Sequence, residues 1–280
     1  MNNKINAQIG LLFVTIIWGL TFIMVKEALE DASPFSFATL RFGLASLLTL
    51  IIVNKKILSL NKIELKGAIY CGFFLFSGYA FQNFGLLITT ATKSAFITSV
   101  SVIVVPILLV LFRIQQIKLR VWIAVLIATF GLYLLIMPDG GINLGDIITF
   151  GCAISFAIHI ILQDKFIKQN IRILPFFFIQ LAFVTFLSYI NAITFESDII
   201  WSSKLMFAII ITGVFATFLA LLIMIWAQKI LTPYETAIIF SMEPVAAALF
   251  AMIFASEIIG FWGWVGGILI CIAIIYSEKR

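Results

Sequence analysis

Apolar and polar positions in this chain fall into long blocks rather than short periods. Apolar runs occupy residues 9–25, 34–53, 67–88, 91–112, 119–137, 145–163, 175–195, 204–227, 234–255 and 260–276. Each is close to the roughly 20 residues that a helix needs to cross a hydrocarbon core, and each is apolar on all sides, as a helix surrounded by lipid must be. The pattern predicts an all-α polytopic membrane protein with ten transmembrane helices forming a single transmembrane domain, 1–280. The first run is too long and too rich in bulky side chains for a signal-peptide core, so it is expected to be a membrane helix. The polar breaks are short. The longest, Asn54–Lys66, Gln163–Leu174 and Glu196–Lys204, leave no room for a soluble domain. Proline punctuates the runs: Pro34 and Pro175 open two, Pro138 follows one and Pro233 precedes another.

Composition agrees with lipid as the main solvent. The chain is 63% hydrophobic and 11% charged, with a mean hydropathy of +1.18, against about 25% charge in soluble domains. A net charge of +5 could mark a nucleic-acid binder, but the positions of the charges argue otherwise. Of the 18 Lys and Arg, 14 fall on the side of the N-terminus: Lys4, Lys55, Lys56, Lys62, Lys66, Arg113, Lys118, Arg120, Lys165, Lys168, Arg172, Lys229, Lys279 and Arg280. Lys26, Lys93 and Lys204 fall on the other side, and Arg41 lies within a run. The positive-inside rule then puts both termini in the cytoplasm of a bacterial-type inner membrane. Basic excess becomes a topology signal, and nucleic acid drops out as a partner. Lipid and a small-molecule solute are the expected partners, with the chain a monomer or homodimer.

Ten passes divide into two sets of five, and an odd number of passes threads the halves in opposite directions. The halves expected here are 1–137 and 145–280. Sliding 95–134 onto 237–276 without a gap superposes Ala95 on Ala237, Ile97 on Ile239, Ser99 on Ser241, Trp122 on Trp264 and Gln115 on Glu257. Pro34-Phe35 and Pro175-Phe176 form a second pair. The identities alone are near chance; the matched hydropathy and unbroken register carry the inference.

Inside the ninth run, Glu243 stands beside Pro244. A carboxylate at that depth costs roughly 3 kcal/mol or more unless it faces water or a partner, and the proline removes a helix donor and bends the chain. Glu243 is therefore either a pathway carboxylate or a structural acceptor for a neighbouring helix. Arg41 lies about seven residues inside its span, within snorkelling distance of an interface. It could meet an anionic solute, or form a structural ion pair with Glu27, Asp31 or Glu243. His159, the only histidine, could relay protons or make a helix–helix hydrogen bond with a polar neighbour.

No sequence signature asks for a cofactor or metal. There is no Walker loop, no dinucleotide motif, no zincin His-Glu-x-x-His and no Gly-x-Ser-x-Gly elbow. Cys71, Cys152 and Cys271 lie in apolar runs with neither zinc nor disulfide spacing, and are expected to be free core thiols. A polytopic intramembrane enzyme and a non-transporting assembly or sensing subunit remain the alternative classes to a transporter.

Several short motifs resemble the EamA-type transporters of the drug/metabolite superfamily. They are Ile17-Trp18-Gly19, Leu40-Arg41-Phe42, the run from Thr89 to Thr98, Gly145-Asp146 with Ser155-Phe156-Ala157-Ile158-His159, Ser241-Met242-Glu243-Pro244, Ser256-Glu257 and Gly266-Gly267. Gln115 and Met242 depart from the residues common in that family. The resemblance implies two inverted five-helix repeats around a central cavity, with the fifth and tenth helices peripheral, and an activity of moving small metabolites, often outward. It does not pass on a substrate. In that arrangement Trp18 and Trp226 are expected near the cavity, with Tyr79 and Asn83 on the third helix and Ser99 on the fourth offering weakly polar contacts. Pro106 and Pro244 are the expected hinges of the fourth and ninth helices. Aromatic and weakly polar walls with one or two charges favour amino acids, amphipathic metabolites or cationic compounds over phosphorylated sugars, which call for clustered Arg and Lys.

Overall fold

The structure, a computed structural model, describes residues 2–53, 61–136, 142–196, 198–254 and 260–278. Pro138, the Ser256-Glu257 pair, and Lys55, Lys56, Lys279 and Arg280 lie outside the described residues. Among those described, the chain forms ten helical rods: α1 (Asn2–Ala28), α2 (Pro34–Val53), α3 (Lys62–Leu86), α4 (Ala91–Leu111), α5 (Leu119–Ile136), α6 (Leu144–Ile167), α7 (Ile173–Phe195), α8 (Ser203–Gln228), α9 (Pro233–Phe254) and α10 (Phe261–Glu278). Seven of them, α1, α2, α4 and α6–α9, are long and apolar enough to cross a membrane by length and composition. The peripheral α5 and α10 are shorter apolar helices, and α3 dilutes its apolar residues with polar ones that face inward.

Local chemistry sets the helix starts. Asn61 with Glu64, Asn143 with Asp146 and Thr232 with Glu235 each form a capping box, so two otherwise unpaired backbone donors are satisfied reciprocally at α3, α6 and α9. Thr90 and Ser202 cap α4 and α8 through their hydroxyls.

Three rods are not regular throughout. α4 breaks at Val100, and α9 breaks at Ser241–Met242, immediately before Glu243 and Pro244. α8 carries a wide π-helical stretch over Ile211–Leu219. The break in α4 lies six residues ahead of Pro106, which sits inside the continuous segment Ser101–Leu111. The expectation that Pro106 itself forms the hinge is corrected accordingly; Val100 closes a tighter turn there, donating to Ile97 and Thr98.

The two halves interleave. α3 lies along α6, α2 along α7 and α5 along α10, while α1 crosses both α8 and the second part of α9. The central core gathers Leu11, Phe42, Leu75, Leu109, Ile160, Phe177 and Leu181 from both halves. A separate cluster of Val121, Val125, Leu132, Ile270 and Ala273 ties α5 to α10 at the edge. Outside, Leu47, Ile51, Leu126, Phe130, Phe186 and Phe207 are exposed. Apolar surface on that scale is the lipid-facing surface of a membrane protein. Cys71 and Cys152 are buried free thiols, whereas Cys271 is exposed on the outer helix α10 rather than in the core, a correction to the sequence expectation. Its outward position follows from α10 having only one side packed on protein.

Glycine permits one close crossing that positions the site. A Cβ at Gly19 would lie 2.6 Å from Ala246 Cβ and 2.7 Å from the Ala247 backbone nitrogen, so α1 and α9 touch backbone to backbone there.

Candidate functional site

A cavity lies among the middle parts of α1, α3, α4, α6, α8 and α9, with Arg41 reaching it from α2. About 50 Å³ of it admits the centres of water molecules, room for a few waters at roughly 10–15 Å³ each. In this conformation the space within the site is small.

The walls follow the duplication of the chain. Trp18, Thr21 and Phe22 of α1 and Phe156, His159 and Ile160 of α6 all line the cavity, and each pair is 138 positions apart. Thr98 and Ser101 of α4 match Phe240 and Glu243 of α9, each 142 apart, and the same interval relates Tyr79 and Gln82 of α3 to Leu221 and Met224 of α8. The helix breaks obey it too, since Val100 and Met242 are 142 apart. Equivalent faces of the two halves therefore enclose one space, but with different chemistry. The first half contributes most of the hydroxyl, amide and guanidinium groups, and the second contributes the carboxylate and imidazole.

Arg41 is 3% exposed. Its Nε donates to Thr217 Oγ1 at 2.6 Å, and one terminal nitrogen donates to the Tyr79 hydroxyl at 3.3 Å and the Ala216 carbonyl at 3.5 Å. Its guanidinium carbon lies 4.6 Å from the Tyr79 ring centroid. The π-helical stretch of α8 builds this seat: Thr217 turns its own hydroxyl back to the Thr212 carbonyl at 2.8 Å, and the Ala216 carbonyl also accepts from Trp18 Nε1 at 2.8 Å. Wide helical turns of this kind redirect backbone groups toward a site. A Cβ on Gly213 would stand 3.1 Å from the Arg41 carbonyl, so glycine lets α2 approach that stretch.

No ion pair joins Arg41 to Glu27, Asp31 or Glu243 among the described residues, which corrects the expected structural pairing. Asp31 instead accepts from Ser202 Oγ at 2.6 Å, and Glu30 pairs with Lys204 at 2.7 Å, both at the far end of α1. Arg41 points inward under α8 rather than snorkelling outward.

Glu243 is 5% exposed and opens the second segment of α9. That position places a carboxylate at a helix N-terminus, where unpaired N–H groups and the helix dipole favour negative charge. Among the described residues it has neither a hydrogen bond nor an ion pair. Trp18 and Phe240 meet beside it with ring centroids 5.0 Å apart, and Tyr79 packs edge-on against Phe42 and Phe156. His159 shares a 3.1 Å hydrogen bond with Gln180 of α7.

Three residues singled out from the sequence lie elsewhere. Asn83 donates to the Pro34 carbonyl at 3.2 Å and ties α3 to the start of α2. Ser99 is buried beside the cavity-lining Thr98 and Ser101 but not on their face. Trp226 is 43% exposed on the outside of α8, its ring beside Gly10, so its expected place at the cavity is corrected. Thr21, Phe156 and Phe240 were not anticipated. Carrying Trp18 and Thr98 across the repeat would have found Phe156 and Phe240.

Polar contacts close both ends of the bundle. On the side of the N-terminus, Lys4 pairs with Glu235 at 2.7 Å, Gln163 donates to Gln228 at 2.6 Å, and Arg172 pairs with Glu64 at 2.6 Å. On the other side, Lys93 stands 3.9 Å from Asp146, Thr89 donates to Asp146, and Lys26 donates to the Leu86 carbonyl at 3.4 Å and to the Thr89 carbonyl. Two side-chain caps on neighbouring helix starts reinforce them. Glu64, from the start of α3, accepts from the Arg172 backbone N–H at the start of α7 at 3.0 Å. Glu196, from the end of α7, accepts from the Phe35 and Ser36 backbone N–H groups at 2.7 Å each, at the start of α2.

Ten helices in two interleaved halves, with paired broken helices around a small, largely apolar central cavity, define the class of membrane transporters built by duplication. The EamA-like transporter family model matches this chain twice, over residues 6–137 and 143–277, and the chain belongs to that family, within the drug/metabolite transporter superfamily. It is similar to an uncharacterized transporter of Archaeoglobus fulgidus, 33% identical over 278 residues, covering 99% of this chain and 87% of that one. It is also similar to the uncharacterized transporter YoaV of Bacillus subtilis, 24% identical over 288 residues, covering 98% of this chain and 97% of that one. A solved structure superposes with a TM-score of 0.80 over 98% of this chain and 96% of the other; at 13% identity this shows the shared fold. The chain is thus a multi-pass membrane transporter and not an enzyme.

Proposed function

We propose that this chain is a secondary transporter of the plasma membrane that exports small metabolites such as amino acids or amphipathic or cationic compounds by alternating access. Both termini face the cytoplasm, and the protein works as a monomer or homodimer. Solute sits at mid-depth among Trp18, Tyr79, His159 and Glu243, with Arg41 seated beside it. The observation that carries this reading is the mid-depth cavity, lined by equivalent faces of two oppositely threaded halves and closed at both ends by polar contacts.

The cycle follows from that symmetry. Opening toward the cytoplasm separates α1 from α9 at Lys4–Glu235; opening outward separates α4 from α6 at Lys93–Asp146. The breaks at Val100 and Ser241–Met242 let half of α4 and half of α9 tilt without unwinding the remainder. Asn83 ties α3 to the start of α2 and, like the buried Ser99, touches no solute. Export is the direction common in the family that the motifs resemble, and the excess of Lys and Arg on the N-terminal side supports the orientation.

Reconstitution into liposomes tests the reading. Purified protein should release a preloaded solute down its gradient, and impermeant labelling should find both termini on one face. Absence of flux across a metabolite panel, or termini on opposite faces, would overturn it.

A further inference from the structure

We infer that a groove on the outer face of α3 and α6 binds an anionic phospholipid from the leaflet on the side of the N-terminus, with its headgroup at Lys66 and Lys165 and an acyl chain below them. The site lies apart from the central cavity and does not depend on which solute the protein carries.

Two helical stripes build the groove. Lys66, Tyr70 and Phe74 follow one another along α3 at one-turn spacing, and Ile158, Leu162 and Lys165 do so along α6. α3 begins and α6 ends at the same face of the bundle, so both lysines stand at the rim while Phe74 and Ile158 lie deep. From Lys66 to Phe74 the helix rises about 12 Å, close to one leaflet's share of a hydrocarbon core about 30 Å thick. A Cβ on Gly67 would lie 2.6 Å from the Phe166 ring, so glycine lets that buried ring rest against α3 as the floor. About 540 Å³ of the groove admits the centres of water molecules, against about 50 Å³ in the central cavity.

The rim carries one sign of charge. Lys66 and Lys165 are exposed, neither has an ion pair among the described residues, and no carboxylate lines the groove. The neighbouring acids are already engaged, Glu64 by Arg172 at 2.6 Å and Asp164 by Lys168 at 2.8 Å. Lys66 Nζ leans over the Tyr70 ring, 5.7 Å from its centroid. Long flexible stems let each ammonium follow a headgroup at the interface, and basic pockets between membrane helices attract anionic heads.

Apolar walls beneath a basic rim separate the possible occupants. A zwitterionic phospholipid brings a cation of its own to the two lysines. A soluble phosphate leaves Phe74, Ile158 and Leu162 uncovered. A second copy of the chain, meeting this face about a two-fold axis, sets the same lysines against each other. An anionic phospholipid covers the walls and neutralises the rim. Because α3 belongs to the first half of the chain and α6 to the second, the bound lipid also stabilises the contact between the halves.

The test uses the full-length protein, stripped of lipid in a neutral detergent, with dioleoyl phosphatidylglycerol, dioleoyl phosphatidylcholine and glycerol 3-phosphate as probes. Phosphatidylglycerol should raise the melting temperature by several degrees and stay attached in native mass spectrometry, and the other two should do neither. Lys66→Gln with Lys165→Gln should weaken its binding by about tenfold or more. Lys118→Gln with Lys229→Gln, at exposed positions on the same side but outside the groove, should leave binding unchanged. Equal binding of phosphatidylcholine would overturn the inference, and so would an equal effect of glycerol 3-phosphate. Equal losses from the two lysine pairs would overturn it in favour of diffuse attraction to the basic face. With Cys71, Cys152 and Cys271 replaced, a disulfide between two copies through Tyr70→Cys, unaffected by phosphatidylglycerol, would put a second copy there instead.

Discussion

Lys93 and Glu235 occupy corresponding positions, 142 apart, in the first turns of α4 and α9, and they carry opposite charges. Each holds an ion pair at one end of the bundle, Lys93 with Asp146 of α6 and Glu235 with Lys4 of α1. Because the halves thread oppositely, one repeat position closes both ends of the molecule, and a charge swap keeps each pair attractive.

These two pairs are expected to set the balance between inward and outward states. Partly exposed pairs contribute about 0.2–1 kcal/mol, enough to shift a two-state population by up to about fivefold. Lys4→Gln should raise labelling of cavity positions from the side of the N-terminus, and Lys93→Gln should raise it from the opposite side. Impermeant thiol reagents applied to each face of sealed vesicles measure the shift. Identical shifts from both variants would show that the pairs do not act as opposing latches.

The Glu64–Arg172 pair predicts a pH effect on stability. Glu64 lies in the polar first turn of α3, ahead of the apolar run that begins at residue 67. Arg172 donates to it from both side chain and backbone, and holds its carboxyl down to about 2. A carboxylate depressed in the folded state stabilises fully above its ordinary value of about 4.3, and that stabilisation is lost as pH falls toward 2. Melting temperature should therefore decline on acidification from pH 5 to pH 3, and Glu64→Gln should start lower and decline less. Parallel declines in both proteins would assign the acid sensitivity elsewhere.

Gly19→Ala tests the α1–α9 contact. The added Cβ would meet the Ala246 Cβ and the Ala247 backbone nitrogen, and backbone cannot step aside as a flexible side chain can. Overpacking of this kind costs about 1–3 kcal/mol, so the variant should melt several degrees lower and carry solute more slowly. Unchanged melting would mean that the crossing is looser than described.

Trp18 and Trp226 provide a paired comparison. Trp18→Leu removes the bond to the Ala216 carbonyl and one wall of the cavity, and should cut flux severalfold. Trp226→Leu removes a ring that packs beside Gly10 away from the cavity, so it should lower the melting temperature but leave flux unaltered. Reversed outcomes would exchange their assignments.

The ten helices were legible in the sequence because block length and proline report on where lipid ends, but the polar first turns of α1 and α3, residues 2–8 and 62–66, fell outside the apolar runs. Which face of each helix turns inward was much less legible. In lipid both the core-facing and the outward-facing residues are apolar, so uniform runs such as the last part of α8, Ala220–Gln228, carry little amphipathic period, and Trp226 could not be placed from spacing alone. Polar residues did better: Glu243, Tyr79 and His159 reach the cavity because hydrocarbon penalises them anywhere else. The partners of Arg41 were missed because Thr217 and the Ala216 carbonyl owe their position to a π-helical stretch for which the sequence gives no sign. The break at Val100 was likewise masked by nearby Pro106, the more obvious candidate.

Labelling at Ser101 tests the central claim most directly. Ser101 is the counterpart of Glu243 across the repeat and lines the cavity with it. With Cys71, Cys152 and Cys271 replaced, a Ser101→Cys protein in sealed, oriented vesicles should react with an impermeant maleimide from either face, and bound solute should protect it from both. Reaction only with a lipid-soluble reagent, or no reaction from either face, would contradict a mid-depth site open to each side in turn.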